Sequence, residues 1–264
     1  MIDIKKYVER MKNVLKEEIK TFKCAPHLVI IQVNDDPAST IYVGGKIRDA
    51  DEVGIKTTLV KLPVDTTESS LIDVITKYNN DKSIHGIIVQ LPLPKQLNEM
   101  HIKFAVNPLK DVDGFHPLSK FEPCTPLGIV KLLKSLQFNF SGANAVIIGR
   151  SEIVGKPMAK LLLKNDCNVT MLHSKTKEED KKFYIKHADL LVVAVGKKYF
   201  ISDYELNPNA FIIDVGINRV DGQVYGDCKP DLPVAYQTPV PGGVGLLTRL
   251  CLLENLMEAY KNGI

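Results

Sequence analysis

Tyr42 and Lys46 lie four positions apart in the stretch Asp36-Pro-Ala-Ser-Thr-Ile-Tyr-Val-Gly-Gly-Lys46. On a helix, residues with this spacing lie on the same face, one above the other. A phenol beside an amine offers a flat surface for a ring, a hydrogen-bond donor and a proton carrier. Burial disfavours the charged form of an amine, so a buried lysine can accept and return a proton near neutral pH. The pair therefore indicates proton-transfer chemistry, although the same spacing is also common on solvated helix surfaces.

A turn leads into the helix that carries this pair. The turn signal at residues 35–37 follows the apolar run 27–33, which has the length of a buried strand, and the helix-like run ends near Gly54. We expect Ser39 or Thr40 to cap this helix, because a side-chain oxygen can accept a hydrogen bond from a backbone N–H of the first turn.

Gln90 stands where another strand-like run ends, before Leu-Pro-Leu-Pro. Ligands of parallel sheets bind at the carboxyl ends of strands, which is also where the Tyr42 helix starts. We therefore expect Gln90 to reach Lys46 and to hold its ammonium through an amide oxygen while leaving the charge uncompensated. The alternative is that Gln90 satisfies a backbone group at the end of its strand.

The segment 110–114, Lys-Asp-Val-Asp-Gly, is a tight turn with two carboxylates, Asp111 and Asp113. It is not a calcium loop, because the other ligands and the closing glutamate are absent at the required spacing. A carboxylate at the rim of a pocket can grip an amidine-like edge, such as that of a pterin, with two hydrogen bonds. The alternative is a solvated turn.

Residues 149–155, Gly-Arg-Ser-Glu-Ile-Val-Gly, connect a strand-like run to a helix-like run. This is the layout of a dinucleotide site, where N–H groups at a helix start face the pyrophosphate. Ser151 replaces the usual middle glycine, and the last glycine stands one position late. After the next strand the chain has 173–176, His-Ser-Lys-Thr, where an NAD enzyme presents an acidic residue. Hydroxyls and cations there, together with Arg150, favour a 2′-phosphate and hence NADP, with a basic surface loop as the alternative.

Strand-like and helix-like segments alternate along the chain, which predicts an α/β fold with parallel sheets. Two of the later strands end in Gly196 and Gly216, and small residues there let a nicotinamide approach the backbone. The predicted strands are 27–33, 56–62, 86–90, 143–148, 168–172, 189–195 and 211–215, and the predicted helices are 2–22, 68–78, 127–136, one from 158 onward, and 246–260.

Composition excludes several classes of protein. A net charge of +3 is too small to argue for a nucleic-acid partner, and no apolar run is long enough to span a bilayer. The five cysteines are widely spaced and the six histidines show no close pairing, so neither predicts a metal site. Widely spaced, unpaired cysteines are typical of reduced thiols, which predicts a cytoplasmic protein.

These segments together resemble the methylenetetrahydrofolate dehydrogenase/cyclohydrolase family, over about residues 28–248. The resemblance rests on eight motifs in order, which are Asp36-Pro-Ala-Ser-x-x-Tyr-Val-x-x-Lys46, Gly86-Ile-Ile-Val-Gln-Leu-Pro-Leu-Pro94, Lys110-Asp-Val-Asp-Gly114, Pro123-Cys-Thr-Pro126, Gly149-Arg-Ser-x-Ile-Val-Gly-Lys-Pro157, His173-Ser-Lys-Thr176, Asp214-Val-Gly-Ile-Asn218 and Thr238-Pro-Val-Pro-Gly-Gly-Val-Gly245.

The resemblance implies two activities that share one cleft. Hydride passes from 5,10-methylenetetrahydrofolate to NADP, and the resulting methenyl cation is hydrolysed to 10-formyltetrahydrofolate. It assigns proton handling to Lys46, tuning of that lysine to Gln90, ring stacking to Tyr42, and the pterin anchor to Asp113 rather than Asp111. Positions that match the folate pocket also include Val89, Leu91, Pro241, Gly242, Gly243, Val244 and Gly245, and those that match NADP contacts are Gly149, Arg150, Ser151, Ser174 and Ile217.

We expect two domains, a folate-binding domain of residues 1–118 and a Rossmann-like NADP-binding domain of residues 119–264, with the final helix (246–261) packed back on the first. The resemblance implies a homodimer that binds tetrahydrofolate derivatives and neither nucleic acid nor membrane. Leu246 and Leu247 stand where the family usually has Pro-Met, and the missing proline at the helix start predicts a looser folate wall.

Three alternatives differ in function. A short-chain dehydrogenase also uses Tyr-x-x-x-Lys, but there the glycine turn precedes the pair, whereas here it follows by more than a hundred residues. A dehydrogenase without cyclohydrolase activity would not need Tyr42, Lys46, Gln90 and Asp113 together. A non-catalytic folate or nucleotide sensor would bind tightly without transferring hydride.

Overall fold

The computed structural model describes residues 3–263, which divide into two compact units. The first unit comprises Glu9–Cys124 together with residues 249–263, and the second comprises residues 3–8 together with Thr125–Thr248. Ile2, where the first predicted helix starts, lies outside the described residues. Within residues 3–263, none of the helices is both long enough and apolar enough to cross a membrane.

The first unit is organised around a parallel sheet of three strands in the order β2-β1-β3. The elements are β1 (His27–Gln32), β2 (Lys56–Lys61), β3 (Gly86–Val89), α1 (Ile4–Ile19, from Glu9 onward), α2 (Pro37–Val53), α3 (Glu68–Asn80), α4 (Glu99–Ala105) and the later part of α8 (Val244–Lys261). All six residues of β1 are buried, because this central strand is covered on both faces.

The core of the first unit forms where apolar side chains of β1 and β3 meet α3 and α4. Val29 and Ile87 from the sheet join Leu71, Ile75 and Ile102 from the two helices in one buried cluster. The two strands pair in parallel with Ile31 opposite Val89, so the carboxyl ends of β1 and β3 lie side by side.

Helix α8 packs against the amino end of β3. A side chain at Gly86 would clash with Leu256 and Val112, so the glycine permits this close approach. Asn255 adds a hydrogen bond of 2.9 Å from its Nδ2 to the carbonyl oxygen of Val112. The turn of residues 110–114 is thereby held between α8 and the sheet.

The second unit contains a parallel sheet of five strands in the order β10-β7-β6-β4-β5. The chain runs from β5 at one edge to β6 on the opposite side of β4, so the direction of winding changes between β4 and β6. Such a switch point, at the carboxyl ends of the strands, is where open α/β sheets bind ligands. The elements are α5 (Cys124–Ser135, from Thr125 onward), β4 (Asn144–Ile148), α6 (Gly155–Lys164), β5 (Asn168–Leu172), α7 (Glu178–Lys186), β6 (Leu190–Val193), β7 (Phe211–Asp214), the antiparallel hairpin β8 (Asn218–Val220) and β9 (Gln223–Tyr225), β10 (Tyr236–Gln237) and the first turn of α8.

The predicted α/β class with parallel sheets is confirmed, while one cap and several short elements differ from expectation. Neither Ser39 nor Thr40 caps α2, so that prediction is wrong. The cap is Asp36, whose side chain accepts a hydrogen bond of 2.7 Å from the backbone N–H of Ser39. Pro37 occupies the first helical position, where its fixed φ suits a helix start, and this moves the helix start upstream. The sequence did not predict α4, α7, the hairpin or β10.

Candidate active site

Lys46 projects from α2 into the interior of the first unit. It is 3% exposed, which is rare for a lysine and excludes the solvated-pair alternative. Its Nζ lies 5.3 Å from the centroid of the Tyr42 ring, within the range of a cation–π contact. The two residues therefore share one face of the helix, as their spacing predicts.

Gln90 approaches Lys46 from the end of β3. Its backbone N–H continues the sheet by donating to the carbonyl oxygen of Ile31 at 2.8 Å. Its side-chain Nε2 donates to the carbonyl oxygen of Leu91 at 2.7 Å, and its Oε1 accepts a hydrogen bond of 3.2 Å from Lys46 Nζ. Because the amide donor is used on the backbone, the amide oxygen is the atom presented to the amine.

Asp113 completes the surroundings of the amine. Its Oδ2 lies 3.7 Å from Lys46 Nζ, and its side chain is 14% exposed. The expectation that the charge of Lys46 is left uncompensated is therefore wrong, because the turn at 110–114 brings this carboxylate next to the ammonium. An exposed edge of Asp113 can still accept hydrogen bonds from a ligand, since a carboxylate has about four acceptor positions.

The other two charged residues of that turn have structural partners. Lys110 is buried, and its Nζ donates to the carbonyl oxygens of Tyr78, Asn79 and Asp81, the groups left open where α3 ends. Burial, with a smaller effect of the nearby Asp113 charge, raises the pKa of Asp111 to about 6.

Asp111 also accepts a hydrogen bond of 2.7 Å from the backbone N–H of His116. The two carboxylates of the motif therefore have different partners, and of the two only Asp113 lies beside Lys46.

Val89, Leu91 and Asp113 line one small cavity of the first unit together with Phe115.

Arg249 is a neighbour of the site that sequence reasoning missed. A side chain at Gly45 would overlap the guanidinium of Arg249, and the Nε of Arg249 lies 2.8 Å from Asp49 Oδ2. Lys12 reaches the same carboxylate from α1, with its Nζ 2.5 Å from Asp49 Oδ1. The available signal was the glycine itself, because glycine inside a helix costs about 1 kcal/mol relative to alanine and indicates a close approach.

The glycine turn of the second unit lies at the switch point between β4 and β6. Gly149 has φ +123°, and a side chain there would overlap the carbonyl oxygen of Ala194, which follows β6. A side chain at Gly155 would in turn overlap the carbonyl oxygen of Gly149. The two glycines therefore let the start of α6 approach the strand ends, which explains their spacing.

Ser151 organises the first turn of α6 in place of the usual middle glycine. Its Oγ accepts hydrogen bonds from the backbone N–H groups of Val154 at 3.2 Å and Gly155 at 3.3 Å. Val154, at the N-cap, makes no capping hydrogen bond with its own side chain. This helix start, with its partial positive charge, is suited to a phosphate group.

The loop after β5 is a tight turn with exposed polar groups. The backbone N–H of His173 donates to Thr176 Oγ1 at 2.9 Å, so that hydroxyl is used within the turn. Ser174 and Arg150 are both exposed. Ile217, after β7, is 56% exposed, which is unusual for an isoleucine and leaves an apolar surface at the strand ends.

The glycine loop before α8 is shorter than predicted, since α8 already begins at Val244, which is buried. A side chain at Gly243 would overlap the carbonyl oxygen of Pro239, so the loop requires glycine there. The backbone N–H of Leu246 donates to the carbonyl oxygen of Gly243 at 3.0 Å, a bond that proline cannot make. Leucine at this position thus supplies a backbone donor that closes the first turn of α8, and the looser folate wall stays a prediction.

Comparison with known proteins matches both parts of the chain to one family. Residues 2–113 match the catalytic domain of tetrahydrofolate dehydrogenase/cyclohydrolase, and residues 123–264 match its NAD(P)-binding domain. A relative from Exiguobacterium sibiricum, named bifunctional protein FolD, is 44% identical over 276 residues, which cover 99% of each chain.

Two solved structures are similar over nearly their whole length. The bifunctional enzyme FolD from Campylobacter jejuni is 39% identical with a TM-score of 0.95, covering 99% of this chain and 98% of the other. The enzyme from Trypanosoma brucei, solved with NADP cofactor and inhibitor, is 30% identical with a TM-score of 0.94, covering 99% and 97%. The chain therefore belongs to the tetrahydrofolate dehydrogenase/cyclohydrolase family.

Proposed function

We propose that the chain oxidises 5,10-methylenetetrahydrofolate to the methenyl cation with NADP and then hydrolyses that cation to 10-formyltetrahydrofolate. The observation that carries the proposal is the buried amine of Lys46 between the Tyr42 ring, the Gln90 amide oxygen and the Asp113 carboxylate. Family membership gives the reaction class, and this arrangement supplies the groups that the hydrolytic step requires.

The two steps make different demands on the protein. Removing hydride from a carbon between two nitrogens gives a resonance-stabilised cation, so that step needs alignment more than an acid or base. Hydrolysis adds water to the cation, opens the ring and releases one proton. It needs a group that moves this proton, and Lys46 is suited to that role because it is buried and oriented by Gln90.

Asp113 has two roles in the proposal. Its carboxylate lies beside Lys46 in the absence of ligand, and it anchors the pterin through hydrogen bonds when folate binds. Hydrogen bonds from the pterin draw on the same carboxylate charge that otherwise stabilises the ammonium. Substrate binding therefore weakens the attraction between the Asp113 carboxylate and the Lys46 ammonium. Val89 and Leu91 supply apolar surface beside the anchor, and the loop of residues 241–245 in the second unit keeps its proposed role in folate binding.

The residues of the second unit fit a dinucleotide. Gly149 and Gly155 let the backbone at the start of α6 approach the strand ends closely, and this helix start can hold a phosphate group next to Ser151. NADP, when bound, accepts the hydride. Arg150 and Ser174 are exposed cationic and hydroxyl groups suited to the 2′-phosphate, and the exposed Ile217 is suited to contact with the nicotinamide.

The domain limits, assembly and location belong to the same proposal. We place the folate-binding domain at residues 1–118 with the end of α8 packed on it, and the NADP-binding domain at residues 119–264. The protein is proposed to work as a cytoplasmic homodimer without nucleic-acid or membrane partners. The absence of disulfides among its cysteines in the described residues supports a reducing compartment. Sedimentation equilibrium of the purified chain tests the dimer, since a monomer mass at micromolar concentration would contradict it.

One assay tests the proposed function as a whole. The absorbance of methenyltetrahydrofolate is followed after mixing the protein with methylenetetrahydrofolate and either NADP or NAD. The proposal predicts NADP-dependent formation of the intermediate followed by its decay to the formyl product. Accumulation without decay favours a dehydrogenase that lacks cyclohydrolase activity, and tight binding without any turnover favours a non-catalytic binding protein.

A further inference from the structure

Asp227, between β9 and β10, is a carboxylate with 0% exposure in the second unit. Its Oδ2 accepts hydrogen bonds from the backbone N–H groups of Val195 at 2.7 Å and Gly196 at 3.0 Å. Its Oδ1 accepts one from the backbone N–H of Lys197 at 2.8 Å and one from the side-chain Nδ2 of Asn218 at 2.8 Å. One carboxylate therefore satisfies three consecutive amides after β6 and ties them to the residue that begins β8.

Close packing and further hydrogen bonds also hold this carboxylate against the loop after β7. A side chain at Gly216 would overlap the carboxylate of Asp227, and a side chain at Gly226 would overlap the carboxylate of Asp214. Asp214 in turn accepts hydrogen bonds of 2.9 Å from the backbone N–H groups of Gly216 and Asp227. The two aspartates and two glycines thus interlock the segment that follows β7 with the one that follows β9.

The loops fixed in this way lie at the ligand-binding edge of the sheet. The segment 195–197 follows β6, one of the two strands at the switch point, and residues 215–217 follow its neighbour β7. Hydrogen bonds to an ionised acceptor are worth about twice those between neutral groups. The carboxylate therefore holds both loops in one conformation more firmly than a neutral side chain of the same size.

We propose that Asp227 is a positioning residue for hydride transfer, which sets the conformation of the loops after β6 and β7 against which the nicotinamide lies. The inference rests on the proposed function of the second unit as the NADP-binding unit. Asp227 acts through these loops rather than through contact with the reacting atoms. Because alignment governs hydride transfer, a displacement of about 1 Å in the bound ring lowers the rate by about a hundredfold.

The test uses Asp227→Asn in the full-length protein, with hydrolysis of methenyltetrahydrofolate measured without nucleotide as an internal standard. Asparagine retains the shape but turns an N–H₂ group towards backbone N–H donors. We expect the KM for NADP to rise at least about tenfold and kcat/KM to fall about a hundredfold, with hydrolysis within about twofold of wild type. A merely structural role would instead lower both activities in proportion and leave the KM for NADP unchanged.

Asp189→Asn is the matched control, because Asp189 also holds the second unit through a backbone amide. Its Oδ2 accepts a hydrogen bond of 2.9 Å from the backbone N–H of Asn144, at the amino end of the same sheet. We expect this variant to keep the wild-type KM for NADP. An equal rise in KM in both variants would overturn the proposal, since the effect would then come from general loss of stability.

A milder variant keeps the proposal testable if Asp227→Asn fails to fold. Asn218→Ala removes one of the four hydrogen bonds to Asp227, together with a longer one of 3.4 Å to the carbonyl oxygen of Tyr225. We expect the KM for NADP to rise about three- to fivefold with hydrolysis unchanged. A wild-type KM in Asn218→Ala, or in a folded Asp227→Asn, overturns the inference while the proposed function stands. If the wild-type protein itself neither binds NADPH nor reduces NADP, the inference about Asp227 and the proposed function are both wrong.

Discussion

The Nζ of Lys46 lies 3.2 Å from the Oε1 of Gln90, although the two residues are 44 positions apart in the chain. The contact exists because α2 starts beyond the carboxyl end of β1, and β3 ends beside β1 in the same sheet. The amide oxygen orients the amine without adding charge. This relationship gives the first prediction.

Two substitutions of Gln90 test whether its amide oxygen must orient Lys46 and how an added negative charge at the same position affects hydrolysis. Gln90→Leu removes the acceptor, and we expect methenyl hydrolysis to fall about tenfold or more. Gln90→Glu retains an acceptor but adds a second carboxylate beside the ammonium, and we expect hydrolysis below the wild-type rate because the amine is then held in an ion pair. Gln96→Leu is the control, because Gln96 is exposed. The Nε2 of Gln96 donates a hydrogen bond to the carbonyl oxygen of Val64. A wild-type rate of hydrolysis by folded Gln90→Leu would contradict the tuning role.

Asp113→Ala should weaken folate binding. Loss of the anchor removes charge-assisted hydrogen bonds, each worth about 1.5–3 kcal/mol, so the KM for the folate substrate should rise at least tenfold in both assays. Asp73→Ala, on the exposed face of α3, is the control and should keep the wild-type KM. An unchanged KM in Asp113→Ala would place the anchor elsewhere.

Arg150→Ala should reduce discrimination between the two nicotinamide dinucleotides. We expect kcat/KM for NADP to fall about tenfold or more, with little change for NAD, because only NADP carries the 2′-phosphate that a guanidinium can bind. Lys160→Ala, an exposed cation on α6, controls for loss of net charge. If both dinucleotides lose activity equally, Arg150 does not read the 2′-phosphate.

Asp111 gives a prediction for the pH dependence of stability. Burial raises its pKa in the folded state to about 6, against 3.8 for the reference group, so the folded protein disfavours the charged carboxylate above pH 6. As pH falls from 7.5 to 4.5 the folded state takes up this proton first. Wild type should therefore gain about 2 kcal/mol of unfolding free energy relative to Asp111→Asn. Urea unfolding of both proteins at several pH values measures the difference. Parallel stability curves would show that Asp111 titrates normally.

Continuous apolar runs made the sheets predictable. The segments at β1 and β6 are uniformly buried, and the alternation of such runs with amphipathic helices is typical of parallel sheets. Helix α7 was missed because its sequence, Glu-Glu-Asp-Lys-Lys-Phe-Tyr-Ile-Lys, has little apolar periodicity and buries only Ile185. Strand β10 has two residues, too few for any pattern.

At the site, the sequence predicts which side chains of one helix share a face, but it predicts contacts between different elements less well. Tyr42 and Lys46 share a helix face because of helical geometry alone. The approach of Asp113 to Lys46 depends on how the 110–114 turn is held by α8 and by Lys110, which local sequence does not encode. The burial of Asp227 beneath two loops likewise could not be predicted from the sequence, because it depends on the packing of segments that are far apart in the chain.

The most direct test of the account is the rate of methenyltetrahydrofolate hydrolysis by Lys46→Met, measured without nucleotide and compared with Lys56→Met on the exposed edge of β2. We predict a loss of at least about a hundredfold for Lys46→Met and a wild-type rate for Lys56→Met, because methionine retains much of the apolar stem of lysine but cannot move a proton. Near-full hydrolysis by Lys46→Met, with the protein folded, would contradict the central role of this amine.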